Sequence, residues 1–131
     1  MKSMSDKTLS PKARYKDANK RKPTIFVSIH HNASHFPWKK GATVLYASLH
    51  HERASRSLAK FVNDNVVKQA GFKNRGLEKS TNLIVLKHTK MPAILTETGY
   101  MSNAGDLDCI LDKQNDIANG IVKGIKAYFM R

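Results

Sequence analysis

Cysteine and long apolar runs are nearly absent from this sequence. Cys109 is the one cysteine among 131 residues, which excludes an internal disulfide and a cysteine-rich metal knuckle. No stretch approaches the roughly 18 consecutive apolar residues that a membrane helix needs, and residues 1–22 contain no apolar core of a signal peptide. The sequence therefore predicts neither a membrane span nor a signal peptide in this chain.

Acidic residues are also few. The chain has 10 Asp and Glu against 23 Lys and Arg, a formal net charge of +13. A surface of this charge attracts polyanions such as nucleic acid, anionic membranes or anionic cell-wall polymers, but it can equally serve solubility. No helix-turn-helix, zinc-finger or base-stacking motif is present, and Trp38 and Tyr100 stand isolated in the sequence. We therefore expect no specific binding of nucleic acid.

Length and composition suit one compact domain. Hydrophobic residues make up 40% and charged residues 25% of the 131 positions, which is ordinary globular usage and argues against a disordered chain. We divide the chain into a basic segment at 1–22 and an α/β domain at 23–131. A helix is expected in the basic segment, because Ser10 before Pro11 is a favourable helix start.

Apolar patterning predicts alternating strands and helices in the domain. The predicted strands are 24–30, 41–47, 82–87 and 92–97, and the predicted helices are 48–69, 106–111 and 113–129. The first strand is a nearly continuous β-branched run, typical of a central parallel strand covered on both faces. The sequence thus predicts an α/β fold with a single, mostly parallel sheet flanked by helices.

Two polar residues end predicted strands. His30 ends the first strand and Glu97 ends the last, and ligands of parallel α/β sheets gather beyond the carboxyl ends of the strands. An imidazole there can bind a metal, and a neighbouring carboxylate can act as a general base. Taken singly, each residue could instead be structural, His30 as a strand cap and Glu97 as a solvated side chain.

The sequence around these two residues carries a family resemblance. The segments are Phe26-Val-Ser-Ile-His-His-Asn-Ala33 and Met91-Pro-Ala-Ile-Leu-Thr-Glu-Thr-Gly-Tyr-Met-Ser-Asn103, the latter followed by Asp106. In this order, with a strand and a long helix between them, they resemble zinc-dependent N-acetylmuramoyl-L-alanine amidases of the amidase 3 type. The resemblance implies that His30 is one of three protein zinc ligands and that Glu97 is the catalytic carboxylate. It also implies hydrolysis of the peptidoglycan amide between N-acetylmuramic acid and L-alanine by zinc-activated water.

The chain departs from the family at its start. The family opens with Asp-Pro-Gly-His-Gly-Gly and a helix carrying a Glu ligand, but upstream of Thr24 this chain has no His and only the carboxylates Asp6 and Asp17. The resemblance therefore implies a domain lacking the N-terminal third and two of three zinc ligands. His35 is a possible replacement ligand, whereas His31 should face away from His30 because strand side chains alternate. We expect zinc affinity that is weak or absent and little activity of the chain alone.

The partners and location also follow from the resemblance. It implies peptidoglycan as substrate and a cell-wall or extracellular location, and the basic surface suits anionic wall polymers. An open sheet edge predicts self-association or pairing with a complementing N-terminal fragment. The alternative function is a non-catalytic, basic cell-wall-binding remnant of the same fold.

Overall fold

The computed structural model describes residues 10–131. Its helices are α1 (Pro11–Arg21), α2 (Glu52–Ala70), α3 (Ile84–His88), α4 (Ala104–Asp112) and α5 (Gln114–Met130). Its strands are β1 (Phe26–Asn32), β2 (Ala42–Ala47), β3 (Asn74–Ser80) and β4 (Ala93–Tyr100). The basic segment predicted at 1–22 is therefore described only from Ser10 onward. None of the helices in this range is both long and apolar enough to cross a bilayer.

The four strands form one sheet in the order β1-β4-β2-β3. β1 is parallel to β4, and β2 is parallel to β3, whereas β2 and β4 at the centre are antiparallel. Helices lie against both faces of this sheet. The predicted α/β class, with a single and mostly parallel sheet flanked by helices, is confirmed.

Two hydrophobic clusters cover the two faces of the sheet. The larger joins the sheet to α2 and α5, and the smaller joins it to α3. Side chains alternate along a strand, and β4 accordingly contributes Ile94 to the larger cluster and Ala93 and Leu95 to the smaller one. The same alternation places Glu97 on the face that carries α3.

Helices α2 and α5 approach each other closely through glycine. A Cβ atom built on Gly124 would lie 2.4 Å from the Cα of Val62, and one on Gly120 would lie 2.7 Å from the Cα of Val66. Both distances are far shorter than a van der Waals contact, so these two positions of α5 accept no side chain without separating the helices. Glycine here sets the spacing of the helix layer under the sheet.

The predicted helix boundaries at two sites are confirmed by their capping. The Ser10 side chain accepts a hydrogen bond from the Ala13 backbone N–H at 3.1 Å, and Pro11 is the first residue of α1. Gly71 ends α2 in the left-handed conformation, with φ of 84°, where a residue with a Cβ would be strained. Local sequence chemistry therefore fixes these helix termini.

Residues 82–87 are not a strand, contrary to the sequence prediction. The chain forms the short helix α3 at Ile84–His88, started by hydrogen bonds from the backbone N–H groups of Leu86 and Lys87 to the Leu83 carbonyl. A short apolar run cannot be assigned to helix or strand by periodicity alone. The buried side chains of Val85 and Leu86 cover the sheet instead of extending it.

Strand β3 was missing from the prediction. Its sequence, Asn74–Ser80, is mostly polar and exposed and contains Gly76 at a φ of 80°, so it lacks the β-branched and aromatic residues that mark a strand. It nevertheless pairs in parallel with β2. Tertiary pairing, and not local propensity, makes this segment extended.

The predicted central position of the first strand is wrong. Among the described residues β1 pairs only with β4 and lies at an edge of the sheet. Ile29 is 58% exposed and His30 is exposed as well. A continuous apolar run is typical of a strand covered on both faces, but it does not determine whether the strand lies at the centre or at an edge of the sheet.

Candidate functional site

His30 and Glu97 lie side by side at the carboxyl ends of two parallel strands. β1 and β4 are paired so that His30 is the register partner of Glu97. On the other side of β4, Thr43 of β2 is also a register partner of Glu97. Register partners project from the same face of a sheet, so His30, Glu97 and Thr43 form a row across three strands with the carboxylate in the middle.

The face of the sheet that carries this row also carries α1 and α3. His30 lines a surface groove together with Phe26 and Ser28 of β1 and with Arg14 and Asp17 of α1. Helix α1 is held against α3 by Asn19, whose side chain donates to the His88 carbonyl and accepts from the Lys90 N–H, both at 2.8 Å. The groove beside His30 therefore has one wall of strand and one wall of helix.

Glu97 is partly buried and incompletely satisfied. Its Oε2 atom is buried and has no hydrogen-bond partner within the described residues. Burial raises the pKa of the Glu97 carboxyl, His31 opposes that rise, and the nearby Glu78 adds to it. A buried acceptor without a partner is costly, and carboxylates with raised pKa values in clefts are candidates for acid–base chemistry.

His30 presents its imidazole at the surface. Its Nε2 atom is 2.9 Å from the Ser28 hydroxyl, which lies two residues back on the same face of β1. This contact is local and exposed, so it orients the ring without burying it. The imidazole remains open to a ligand from the groove.

His31 lies on the opposite face of β1 from His30. Its Nδ1 atom lies 2.9 Å from the Thr98 hydroxyl and 3.0 Å from the Thr98 carbonyl. It lines a separate apolar groove with Ile29 of β1 and with Ile117 and Ile121 of α5. The alternation expected for consecutive histidines is therefore observed, and His31 does not share the face of His30.

The described residues do not complete a zinc site. Catalytic zinc normally keeps three protein ligands and one open position. Within residues 10–131, no group of three or more His, Cys, Asp and Glu side chains is placed to hold a metal ion. His35, considered from sequence as a replacement ligand, lies exposed in the loop after β1 and joins no such group. His30 alone is only part of the donor set that a catalytic zinc ion needs.

The loop from β1 to β2, residues 33–41, is fixed to the segment that follows β4. The Ser34 N–H donates to the Ser102 hydroxyl at 2.9 Å, and the Asn103 side chain donates to the Pro37 carbonyl at 2.9 Å. At the end of the loop, the Gly41 N–H donates to Asp106 Oδ2 at 2.8 Å. The loop therefore lies at the same strand ends as His30 and Glu97.

Asp106 is a structural centre whose role was not predicted from sequence. Its buried Oδ2 atom also accepts from the Tyr100 N–H at 2.8 Å, and its own N–H donates to Asn103, the N-cap of α4. The spacing of Asn103 and Asp106 is a sequence signal for a helix start. It gives no sign of the bond to Gly41, which needs the folded loop.

Trp38 is not isolated, contrary to the sequence interpretation. Its ring centroid lies 4.9 Å from that of Phe36, with the ring planes inclined by 38°. Tyr100, by contrast, is buried.

The fold and these motifs match a known family. The family model of the N-acetylmuramoyl-L-alanine amidases of the amidase 3 type matches residues 1–127. This chain belongs to that amidase family, as the sequence resemblance indicated.

Individual relatives agree with this assignment. The chain is 37% identical over 119 residues to an endolysin of Bacillus phage SPP1. The aligned region covers 86% of this chain and 42% of that protein. It is 36% identical over 110 residues to "Probable cell wall amidase LytH" of Staphylococcus epidermidis. This aligned region covers 82% of this chain and 36% of that protein. The chain thus spans about two fifths of the length of these curated relatives.

Solved structures resemble the whole described fold. The N-acetylmuramoyl-L-alanine amidase of Clostridium difficile 630 superposes with a TM-score of 0.88 at 30% identity, covering 98% of this chain and 69% of that one. The catalytic domain of the amidase CwlV from Bacillus (Paenibacillus) polymyxa var. colistinus has a TM-score of 0.85 at 34% identity, covering 97% and 69%. The fold of this chain is therefore an amidase fold over nearly its whole length.

Proposed function

We propose that this chain carries the catalytic carboxylate of a peptidoglycan amidase, which hydrolyses the amide between N-acetylmuramic acid and the L-alanine of the stem peptide. The observation that carries the proposal is the register pairing of His30 with Glu97, whose buried Oε2 atom has no partner. Membership of the amidase family supplies the bond and the substrate class.

Glu97 is proposed as the general base. Its carboxylate accepts a proton from the water that attacks the amide carbonyl carbon, and the new C–O bond forms as that proton leaves. The same carboxyl then donates the proton to the amide nitrogen of L-alanine, so that the C–N bond breaks with departure of a neutral amine. The products are the carboxylic acid of the muramic acid lactyl group, which then releases its proton to water, and a free amino terminus. Because burial raises its pKa, Glu97 is a stronger base than an exposed glutamate and holds the transferred proton more readily.

His30 is proposed as the one protein ligand that the described residues offer to a zinc ion. A single imidazole gives a weak site, since structural and catalytic zinc both depend on several protein ligands. We therefore expect the chain by itself to hold zinc weakly and to turn over slowly. Efficient hydrolysis is expected when another segment or chain supplies the missing ligands.

Partners and location are proposed from the family and from the charge. Peptidoglycan is the proposed substrate, and the cell wall is the proposed place of action. The net charge of +13 suits attraction to anionic wall polymers at low salt. Among residues 10–131, β1 pairs with β4 alone, so its other edge is proposed to pair with a complementing fragment or with a second copy of the chain.

The proposal is tested by identifying which bond of peptidoglycan is cleaved. This chain superposes on 69% of the Clostridium difficile amidase. We define the complemented chain as this chain fused to the remaining part of that amidase. Incubated with purified peptidoglycan and zinc, the complemented chain should release peptides with new N-terminal L-alanine, detected by amino-terminal labelling and mass spectrometry. New reducing sugar ends should not appear.

The same assay separates the proposal from its alternative. A non-catalytic wall-binding remnant would sediment with peptidoglycan and release nothing, even after complementation. A folded complemented chain that binds zinc and yields no N-terminal L-alanine would overturn the amidase proposal. The C. difficile fragment alone is the control for activity that this chain does not provide.

A further inference from the structure

Two aromatic rings are exposed together on the loop between β1 and β2. Phe36 is 48% exposed and Trp38 is 69% exposed, and their ring centroids are 4.9 Å apart. Large aromatic side chains placed next to each other at the surface mark interaction sites more often than single exposed apolar residues do. We call this pair the aromatic turn.

The aromatic turn is held in a defined conformation. The Lys39 N–H donates to the Phe36 carbonyl at 3.1 Å, and the Phe36 N–H donates to the Ser34 hydroxyl at 3.1 Å. Pro37 occupies the first central position of this turn, where its fixed φ is favourable. The Lys39 ammonium lies 5.4 Å from the Phe36 ring centroid. Such a pre-formed surface loses little conformational entropy when it binds a flat ligand.

Its position connects it to the candidate active site. Asn32, at the end of β1, accepts a hydrogen bond at 2.7 Å from the N–H of Met101, which follows β4. Two residues after Met101, the Asn103 side chain donates to the Pro37 carbonyl at 2.9 Å. The aromatic turn is therefore tied to the carboxyl end of β4, the strand that carries Glu97.

We propose that the aromatic turn is a subsite for the glycan strand, with Trp38 and Phe36 stacking on N-acetylhexosamine rings. The inference rests on the proposed function, because one side of the scissile amide is a sugar and that sugar must lie next to Glu97. A pyranose ring presents an apolar face of C–H groups and a rim of polar groups. The aromatic rings can stack on the apolar face of the sugar. The adjacent Lys39 and Lys40 can donate hydrogen bonds to the hydroxyl and acetyl oxygens of its polar rim.

The salt dependence of binding distinguishes a neutral glycan at the aromatic turn from a polyanion. Polyanions are held by Lys and Arg over the whole basic surface, and that binding weakens as salt is added. Stacking on an uncharged sugar buries apolar area and survives high salt. Salt therefore separates binding at the aromatic turn from the general attraction of a chain with net charge +13.

The single tryptophan of the chain makes a direct test possible. Trp38 is the only tryptophan, so its fluorescence reports on this site alone. The full chain is titrated at high salt with the tetramer of N-acetylglucosamine, which contains no muramoyl–L-alanine amide and is therefore not hydrolysed. We expect a saturable blue shift and reduced quenching by acrylamide, and we expect Phe36→Ala to weaken the affinity roughly fivefold to tenfold.

A matched variant controls for nonspecific effects. Phe129→Ala removes another half-exposed phenylalanine, 51% exposed at the end of α5, and should leave the titration unchanged. Both variants alter exposed side chains, so both should fold, as circular dichroism can verify.

The outcomes separate this inference from the proposed function. Tryptophan shifts with the tetramer support the subsite even if the complemented chain proves inactive as an amidase. No spectral change with the tetramer, or an unchanged affinity in Phe36→Ala, would overturn it whatever the hydrolysis assay shows. A shift with a single-stranded oligonucleotide but not with the tetramer, at the same high salt, would also overturn it in favour of base stacking.

Discussion

His30 of β1 and Glu97 of β4 are register partners on adjacent parallel strands. Their side chains leave the same face of the sheet at the same strand ends, which places an imidazole beside a half-buried carboxylate without any contribution from loop flexibility. Rigid strands are better supports for a reacting pair than loops are. The pairing also explains why two segments more than 60 residues apart in the chain carry the family motif together.

Gly124 sets the distance between α5 and α2, so Gly124→Ala should destabilise the fold. The added methyl would meet the backbone of Val62 at 2.4 Å, and relieving that clash requires the helices to separate. We expect a loss of about 1–3 kcal/mol in the free energy of unfolding, measured by urea titration. Gly105→Ala in α4 is the matched control, since its nearest contact would be 3.4 Å away. Equal stability of the two variants would show that the helix contact is looser than described.

Asp106 joins the β1–β2 loop to the end of β4, so Asp106→Ala should loosen both. The substitution leaves the N–H groups of Gly41 and Tyr100 without their acceptor, at a cost of about 2–4 kcal/mol. The expected result is a lower urea midpoint, with faster hydrogen exchange at these two amides. Asp108→Ala, an exposed position of the same helix, should change neither. Retention of slow exchange at Gly41 in Asp106→Ala would contradict the role assigned to this carboxylate.

Cys109 should react slowly with alkylating reagents in the folded chain. Burial raises the pKa of its thiol, Lys113 opposes that rise, and Asp106 is the first of several acidic residues that add to it. Because the thiolate is the reactive form, the iodoacetamide rate should rise with pH at a midpoint above that of an ordinary cysteine. Unfolding in urea should restore the ordinary midpoint. A folded chain labelled as fast as the unfolded one at neutral pH would rule out this environment.

Zinc retention should reflect the incomplete ligand set. The full chain, loaded with zinc and dialysed against metal-free buffer, should keep much less than one zinc per molecule, because the described residues bring no group of three ligands together at His30. Elemental analysis measures this directly, and the complemented chain is the positive control. Stoichiometric zinc in the full chain would mean that its own residues form a site that the described arrangement does not contain, and loss of that zinc in His30→Ala would locate it.

Much of the fold could be predicted from local sequence chemistry. Helix α2 has its apolar residues on one face and ends at Gly71, and α1 starts at a capping serine followed by proline. The capping signals at Ser10 and Gly71 involve only neighbouring residues, so they can be recognised in the sequence. The sequence also predicted that His30 and Glu97 lie near each other. Each residue ends an apolar strand, and the carboxyl ends of parallel strands meet at the same edge of a sheet.

What could not be predicted depends on contacts distant in the chain. The polar strand β3 is extended because β2 pairs with it, and the apolar residues of α3 are helical because they cover the sheet at Ala93 and Leu95. The edge position of β1 depends on strand pairing, because among the described residues β1 pairs with β4 alone. The local sequence of β1 does not contain this information. The double role of Asp106 and the approach of Trp38 to Phe36 both arise only in the folded loop.

The most direct test of the central claim is the rate at which the complemented chain and its Glu97→Gln variant release N-terminal L-alanine from purified peptidoglycan. The account predicts a fall of roughly a hundredfold or more in rate, with zinc content and the urea midpoint of unfolding not reduced. A variant that binds zinc, folds and hydrolyses as fast as its parent would contradict the assignment of Glu97 as the general base.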